Sequence, residues 1–124
     1  MRYTTSMISF CKQLGTKFGH AIRGIVRATQ TDKSFSAHVY IGIPTAVVVW
    51  YLGWPLTDLE FFMLVVAVLL VLVTELQNSA FEAALDRLHP ELHEKIGRSK
   101  DMAAGAVLLS VSFAILVGIF ILTT

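Results

Sequence analysis

The sequence predicts an all-α membrane protein, in which an amphipathic surface helix precedes three transmembrane helices. Of its 124 residues, 55% are hydrophobic and 15% are charged, whereas a soluble domain usually carries about 25% charged residues. Three largely apolar segments, 39–56, 61–86 and 102–122, approach the roughly 20 residues with which a helix crosses about 30 Å of hydrocarbon. The composition therefore excludes a disordered chain and an ordinary soluble globule, and we expect residues 1–124 to form a single membrane domain.

The first element is predicted to be a surface helix over residues 1–31. This segment has no acidic residue, and its apolar residues recur at steps of three and four, the spacing of one helix face. Such a basic amphipathic helix is typical of segments that lie on an anionic membrane surface; the alternative is a helix packed on the bundle. The apolar positions are Ile8, Phe10, Leu14, Phe18, Ile22 and Ile25, and the basic ones are Arg2, Lys12, Lys17, Arg23 and Arg27.

The first and third apolar segments are both predicted to be membrane-spanning helices. Pro44 lies one turn inside the first span, where a proline can kink a membrane helix without breaking it. Trp50, Tyr51 and Trp54 cluster at the far end of that span, and such rings favour the headgroup region. The third span contains no charged residue beyond Met102. Both segments are therefore expected to cross the membrane.

The charges of the two connections predict the orientation of the spans. The first connection, 53–60, contains two acidic residues and no basic one. The second connection, 86–101, contains Arg87, Lys95, Arg98 and Lys100. Because loops rich in Lys and Arg stay in the cytoplasm, we expect the N-terminal segment and the second connection to be cytoplasmic and the C-terminus to lie outside.

A polar stripe continues the second span without a helix-breaking residue. At about 100° per residue, its members fall within an arc of roughly 100° on one helix face. The stripe comprises Glu75, Asn78, Ser79, Glu82 and Asp86. A carboxylate at the depth of Glu75 costs at least ~2.5 kcal/mol on insertion scales, so an acidic residue there is a functional candidate.

Hydrogen bonds between helices offer a purely structural explanation of this stripe. They contribute only about 0.6 kcal/mol each, which is too little to explain three acidic residues on one face. Two functions remain open for carboxylates at a cytoplasmic boundary. One is holding Mg²⁺ together with substrate phosphates, and the other is proton transfer.

The segment 97–102 supplies complementary charge. Lys100 is a compact positive charge suited to a phosphate, although Lys and Arg beside a span often serve only as topology determinants. The sequence contains neither a Walker-type glycine loop nor a kinase glycine-rich loop. Soluble nucleotide-binding folds are therefore excluded as models, and the net charge of +1 gives no reason to expect a nucleic-acid partner.

These motifs resemble the prokaryotic integral-membrane diacylglycerol kinase family, which also includes undecaprenol kinases. The resemblance covers nearly the whole chain. It rests on the run E-L-x-N-S-A-x-E that begins at Glu75, on the Lys100-Asp101 pair with the small residues after it, and on two upstream segments. The upstream segments are His20-Ala21-x-Arg23-Gly24-Ile25 and Thr31-Asp32-x-x-Phe35-x-x-His38.

The resemblance implies a homotrimeric helical bundle in the bacterial inner membrane that transfers the γ-phosphoryl group of MgATP to a lipid alcohol, with sites shared between subunits. Matched position by position, Glu75 would be the general base, and Asp32 and Glu82 would hold Mg²⁺. Gly19 and Phe35, together with Glu75, would lie on the lipid side. The nucleotide would be bound by His20, Asp32, Asn78, Glu82, Lys100 and Asp101.

The chain departs from the family pattern at two positions. Asp32 stands where the family normally has Glu, which is one methylene longer, and Ser36 replaces an arginine often found after the motif phenylalanine. The upstream motifs resemble the branch that phosphorylates undecaprenol, whereas the motifs after Glu75 resemble the diacylglycerol branch. We expect diacylglycerol as substrate and phosphatidic acid as product, with undecaprenol as the alternative.

A different class of protein is also compatible with part of the pattern. It is either a proton-coupled exporter subunit, which would use one intramembrane carboxylate such as Glu75, or a regulatory trimer. An exporter would leave Glu82, Asp32 and the Lys100-Asp101 pair unexplained. The kinase is therefore the function that the sequence favours.

Overall fold

The protein is described from a computed structural model, which covers residues 2–88, 90–91 and 93–124. Met1, His89 and Leu92 lie outside the described residues, as do the side chains of residues 1–6 and of Ile8. The parts of the predicted surface helix that depend on the side chains of Arg2 and Ile8 are therefore outside the description.

Helices account for nearly all of the described chain. Three stretches are long and apolar enough to cross a membrane: Lys33–Leu52, Asp58–Leu88 and Glu94–Thr123. The predicted all-α fold, with a leading helix and three membrane helices, is confirmed. The elements are α1 (Arg2–Thr31), α2 (Lys33–Ala37), a π-helical turn (His38–Gly42), α3 (Ile43–Leu52), α4 (Asp58–Leu88) and α5 (Glu94–Thr123).

Asp32 separates α1 from the first membrane helix. Its backbone is extended, with φ −103° and ψ 116°, and its carboxylate accepts a 2.8 Å hydrogen bond from the Phe35 N–H. Aspartate is among the preferred N-cap residues because it satisfies an N–H that has no partner in the first turn. The Ser36 hydroxyl points back to the carbonyls of Thr29 and Asp32, at 2.7 and 2.6 Å. The two helices are thus joined tightly at a single residue.

The π-helical turn lies just before Pro44. Proline has no N–H to donate, and its ring clashes with the carbonyl four residues earlier, which here belongs to Tyr40. The wider turn over His38–Gly42 precedes the proline, which occupies the first turn of α3. The helix therefore continues through Pro44 to Leu52, and the irregular turn, not a break, accommodates the proline.

Helices α4 and α5 form the largest interface in the chain. Its interior is a small apolar core of Leu64, Ala67, Val117 and Ile121. Thr57 and Glu60 form a reciprocal cap at the start of α4, in which the Thr57 N–H donates to Glu60 Oε2 at 2.7 Å and the Glu60 N–H donates to Thr57 Oγ1 at 3.3 Å. Such a capping box satisfies two N–H groups at a helix start.

The apolar stripe of α1 is not covered by the other helices of this chain. Its large side chains are about half exposed or more. The chain's own helices therefore do not exclude water from this stripe, and the membrane-surface location of α1 stays a prediction. The exposed members are Met7, Phe10, Leu14, Phe18, Ile22 and Ile25.

Candidate active site

Glu75 is buried inside the helix bundle and does not face outward. It continues the buried face of α4, because it follows Leu64, Ala67 and Val71 at steps of three and four residues, and only 1% of its surface is exposed. Glu75 Oε1 is buried without a hydrogen-bond partner in the described residues. A buried polar atom without a partner costs free energy, so this oxygen marks a position that the fold alone does not explain.

A hydroxyl pair lies beside Glu75 at the interface of α4 and α5. Thr74 Oγ1 and Ser110 Oγ are 2.8 Å apart, and Ser110 is almost fully buried. This bond links the two helices at the level of the carboxylate. The backbone on which Glu75 stands is therefore held in place by the neighbouring helix.

His38 is an ionisable residue close to Glu75. Its Nδ1 lies 4.0 Å from Glu75 Oε1 and 3.0 Å from the Ser34 carbonyl oxygen. Because a carbonyl only accepts, Nδ1 carries the hydrogen of that bond. The sequence analysis named His38 in a motif but gave it no role. Its position directly before the apolar segment 39–56 is the signal that could have identified it as a functional residue.

The next turn of α4 brings two further predicted residues together. Asn78 Nδ2 donates to Glu82 Oε1 at 3.3 Å, while Asn78 Oδ1 and Ser79 Oγ are buried without partners. An amide oxygen and a carboxylate oxygen are thus available side by side. Both are hard donors of the kind that Mg²⁺ takes.

Lys100 connects the polar end of α5 to α4. Its Nζ lies 2.8 Å from Asp86 Oδ1, and the charge of Glu82 also acts on it. Asp101, the other half of the predicted pair, is exposed on α5. Glu82 and Asp86 of the polar stripe therefore lie near Lys100 where α4 and α5 meet.

Asp32 opens onto a cavity of about 670 Å³ between α1 and α4, which is also lined by Arg27, Ser79 and Ala80. Burial raises the pKa of Asp32, but the Phe35 N–H, the approach of the Ser79 hydroxyl and the Ser34 N–H together lower the pKa below its ordinary value. The Phe35 bond has good geometry, whereas Ser79 Oγ completes no hydrogen bond. Asp32 is consequently ionised at neutral pH.

The predicted residues of α1 and α2 occupy different surroundings. His20 Nδ1 lies 3.2 Å from Arg23 Nη2, and both line a basic cavity of about 230 Å³ together with Arg27. The Gly19 carbonyl accepts from Arg23 Nε at 3.2 Å. Phe35 is only 3% exposed, so its ring packs within the chain. Among the described residues, no bond joins His20 to the polar stripe of α4.

The donor atoms near the polar stripe are of the kind that a magnesium ion takes. Within the described parts of the chain, no three or more His, Cys, Asp or Glu side chains are close enough to form a metal site by themselves. Proteins usually hold Mg²⁺ by one or two carboxylates and complete its shell with water and substrate phosphates. Glu82, the unpartnered Asn78 oxygen beside it, and the ionised Asp32 are donors of that kind, so the residues fit the ion.

Comparison with known proteins identifies the family. The model of the family described as prokaryotic diacylglycerol kinase matches residues 19–122. This match covers most of the chain, including all the predicted site residues. The chain belongs to the prokaryotic diacylglycerol kinase family. The resemblance that the sequence motifs indicated is thereby confirmed.

Individual relatives match over different lengths, and each is named diacylglycerol kinase. The chain is 44% identical to the protein of Escherichia coli (strain K12) over 54 residues, 44% of both chains. It is 30% identical to the Haemophilus influenzae protein over 73% of this chain and 75% of that one. It is 32% identical to the Synechocystis sp. protein over 82% of this chain and 57% of that one. The chain thus spans less than half the length of the Escherichia coli relative it matches.

Proposed function

We propose that this protein is a lipid kinase that transfers the γ-phosphoryl group of ATP to diacylglycerol and yields phosphatidic acid. The observation on which the proposal depends is the position of Glu75, a carboxylate buried in a membrane helix one turn from the Asn78–Glu82 pair. Family membership and the names of the relatives support the same reaction.

In this proposal Glu75 is the general base. Its carboxylate takes the proton of the lipid hydroxyl while the hydroxyl oxygen forms a bond to the γ-phosphorus. The bond from that phosphorus to the β,γ-bridging oxygen breaks, and ADP leaves with the electron pair. Phosphoryl transfer requires mainly positioning and charge neutralisation from a protein, so a base fixed by the surrounding helices is sufficient for the acid–base part.

The remaining residues are assigned to the nucleotide. Glu82 and Asp32 would hold Mg²⁺, which when bound neutralises charge on the phosphate oxygens. Asn78 and Lys100 would orient the phosphates, and release of Lys100 from Asp86 would free its ammonium group for them. Asp101 and His20 would complete the nucleotide site, while Gly19 and Phe35 belong to the lipid side.

We further propose that the protein is a homotrimer in the bacterial inner membrane, with the N-terminal helix and the α4–α5 connection in the cytoplasm. The asymmetry of the basic residues supports this orientation. Many large apolar side chains of α4 and α5 are exposed in the single chain, as expected of faces that contact lipid or other copies. Native mass spectrometry in detergent is expected to give three chains of 13.7 kDa.

Phosphate transfer from radiolabelled MgATP in mixed micelles tests the reaction. Diacylglycerol and undecaprenol are offered separately to the wild type and to Glu75→Gln. We expect label in diacylglycerol and at least a 100-fold loss in the variant, since general bases contribute about 10²- to 10⁴-fold. Gln77→Glu, which changes an exposed position two residues away, is the matched control and should remain active.

The other outcomes are equally informative. Label in undecaprenol alone would keep the mechanism and replace the substrate. Label in neither lipid, with no thermal protection by Mg²⁺ and ATP, would contradict a kinase and favour a proton-coupled or regulatory membrane protein. A native-state ligand raises stability only if it binds, so protection separates these two classes without an activity assay.

A further inference from the structure

The environment of Glu75 contains one feature that the proposed reaction leaves unexplained. Glu75 Oε1 is buried and makes no hydrogen bond, yet His38 Nδ1 lies only 4.0 Å away. At that separation the two atoms are not hydrogen-bonded, but a small rotation of either side chain brings them within bonding distance. His38 Nδ1 is therefore placed to become the hydrogen-bond partner that Glu75 Oε1 lacks.

The position of His38 is fixed by its own helix. Nδ1–H donates to the Ser34 carbonyl at 3.0 Å, and Ser34 lies in α2, whose first turn is capped by Asp32. The π-helical turn begins at His38, and such turns are frequent at functional sites. The imidazole is therefore held at a defined distance from α4 by the fold of the segment 32–42.

The burial of Glu75 also favours a pairing of these two residues. A buried carboxylate is costly unless a partner donates to it. Within the described residues, His38 Nδ1 is a side-chain donor 4.0 Å from Glu75 Oε1. Its side chain is 26% exposed, against 2% for Glu75, so the imidazole joins the buried carboxylate to the outside of the bundle.

We propose that His38 is a positioning residue for Glu75. In this role the Nδ1–H turns from the Ser34 carbonyl to the carboxylate and fixes the oxygen that faces the lipid hydroxyl. The inference rests on the proposed function, because it assigns His38 a part in the same reaction. It adds a second residue of the first membrane helix, beside Phe35, to the proposed site.

The kinetic test compares His38→Ala, His38→Asn and Tyr40→Phe with the wild type. Asparagine places an N–H donor where the histidine has Nδ1, and Tyr40 is an exposed residue of the same π-helical turn. We expect kcat to fall between about 10- and 100-fold in His38→Ala, the scale of a misplaced reacting group. KM for MgATP should stay within about twofold of the wild type, His38→Asn should recover part of kcat, and Tyr40→Phe should match the wild type.

A second measurement does not depend on activity. A hydrophobic carbodiimide modifies buried carboxyl groups, and mass spectrometry of the peptide that contains Glu75 measures the modification. We expect several-fold more modification in His38→Ala than in the wild type, because the imidazole 4.0 Å from Glu75 Oε1 no longer shields that oxygen from the reagent. His38→Asn should lie between them, and thermal unfolding verifies that each variant is folded.

The two proposals fail in distinguishable ways. If the wild type phosphorylates no lipid, the proposed function is wrong, and the carbodiimide result alone decides whether His38 controls Glu75. If the wild type is active, the inference is overturned by equal kcat in His38→Ala and wild type, or by a loss that His38→Asn does not relieve while Glu75 modification stays unchanged.

Discussion

Asp32 serves both as the junction between two helices and as a carboxylate beside a cavity. One of its oxygens caps α2, and the ionised group opens toward Ser79 and Arg27. The family pattern expects a longer glutamate here. The shorter aspartate is the better N-cap, so the substitution that shortens the reach toward a metal also strengthens the start of the first membrane helix.

Acid should weaken this junction. Because the pKa of Asp32 is lowered in the folded protein, its charge stabilises the fold above the ordinary value of 3.8 and ceases to do so as the pH falls through the folded value. We expect the unfolding temperature of the wild type in micelles to fall below about pH 4. Asp32→Asn keeps a capping oxygen but has no charge, so it should lose part of this dependence.

Circular dichroism during heating from about pH 7 down to about pH 3 provides the measurement. Asp58→Asn, which changes an exposed carboxylate in the first turn of α4, is the control and should retain the acid dependence of the wild type. Identical acid profiles for Asp32→Asn and the wild type would show that the capping charge contributes nothing.

Ser36 shows why a residue's role differs from the expectation of its family. The motif often has arginine at this position. In the structure the Ser36 hydroxyl binds the carbonyls of Thr29 and Asp32 and closes the junction between α1 and α2. No signal in a single sequence distinguishes such a local bond from a missing ligand, because it depends on the extended backbone at Asp32.

At the scale of helices, periodicity was enough to predict which residues of α4 share a face. Glu75, Asn78 and Glu82 lie along one stripe because an α-helix repeats every 3.6 residues. Their neighbours on other helices, such as His38, could not be predicted in this way. The proximity of His38 to Glu75 depends on how the first membrane helix packs against α4. That packing depends in turn on the π-helical turn before Pro44, which lies in the first membrane helix.

Hydropathy also did not predict the residues at which the helices begin and end. Apolar segments end where charged residues begin, but backbone hydrogen bonding continues through them. Helix α5 therefore begins at Glu94, eight residues before Met102, and the segment 33–38 is helical although it is polar. Phe35, Lys100 and Asp101 lie in these extensions, whereas Glu75, Asn78 and Glu82 lie within the predicted segment 61–86.

The connection between α3 and α4 depends on a glycine. A Cβ at Gly53 would lie 2.6 Å from Ile121 Cγ2 and 2.9 Å from Leu56 Cδ2, and Ile121 is part of the buried core. We expect Gly53→Ala to destabilise the protein by about 1–3 kcal/mol, the usual cost of overpacking. Equilibrium unfolding in mixed micelles measures the change.

Gly118→Ala is the matched control for this substitution. Its added Cβ would lie 3.9 Å from Val49 Cγ2, which is ordinary contact, and alanine is the better helix former by about 1 kcal/mol. The variant should be as stable as the wild type or more so. Equal free energies of unfolding for Gly53→Ala and Gly118→Ala would contradict the prediction. They would show that the core around Ile121 can rearrange to accept the added Cβ without loss of stability.

For the whole molecule, the distribution of charge predicts its orientation. Cys11 is the single cysteine of the chain and is exposed on α1, so it reports the location of the N-terminal helix. A membrane-impermeant maleimide should label Cys11 in inverted vesicles and leave it unlabelled in right-side-out vesicles. The basic residues of α1 and of the α4–α5 connection are the physical reason.

The opposite end supplies the control. In Cys11→Ser/Thr124→Cys the cysteine lies at the end of α5, and the labelling pattern should reverse. Labelling of both cysteines from the same side would contradict three crossings, because an odd number of crossings places the two ends on opposite sides. Labelling of Cys11 only from outside would reverse the proposed orientation and leave the fold unchanged.

Because a single residue, Asp32, joins α1 to the first membrane helix, the number of residues in α1 determines how its apolar stripe is rotated relative to that helix. Each residue added to a helix turns everything beyond it by about 100° and advances it by 1.5 Å. A single residue inserted near the end of α1 would rotate its apolar stripe by about a quarter turn relative to the first membrane helix, because Asp32 is the one non-helical residue between them. Seven inserted residues would return the stripe to within about 20° of its original direction. The protein should therefore remain folded and active after an insertion of seven residues here and lose activity after an insertion of one residue.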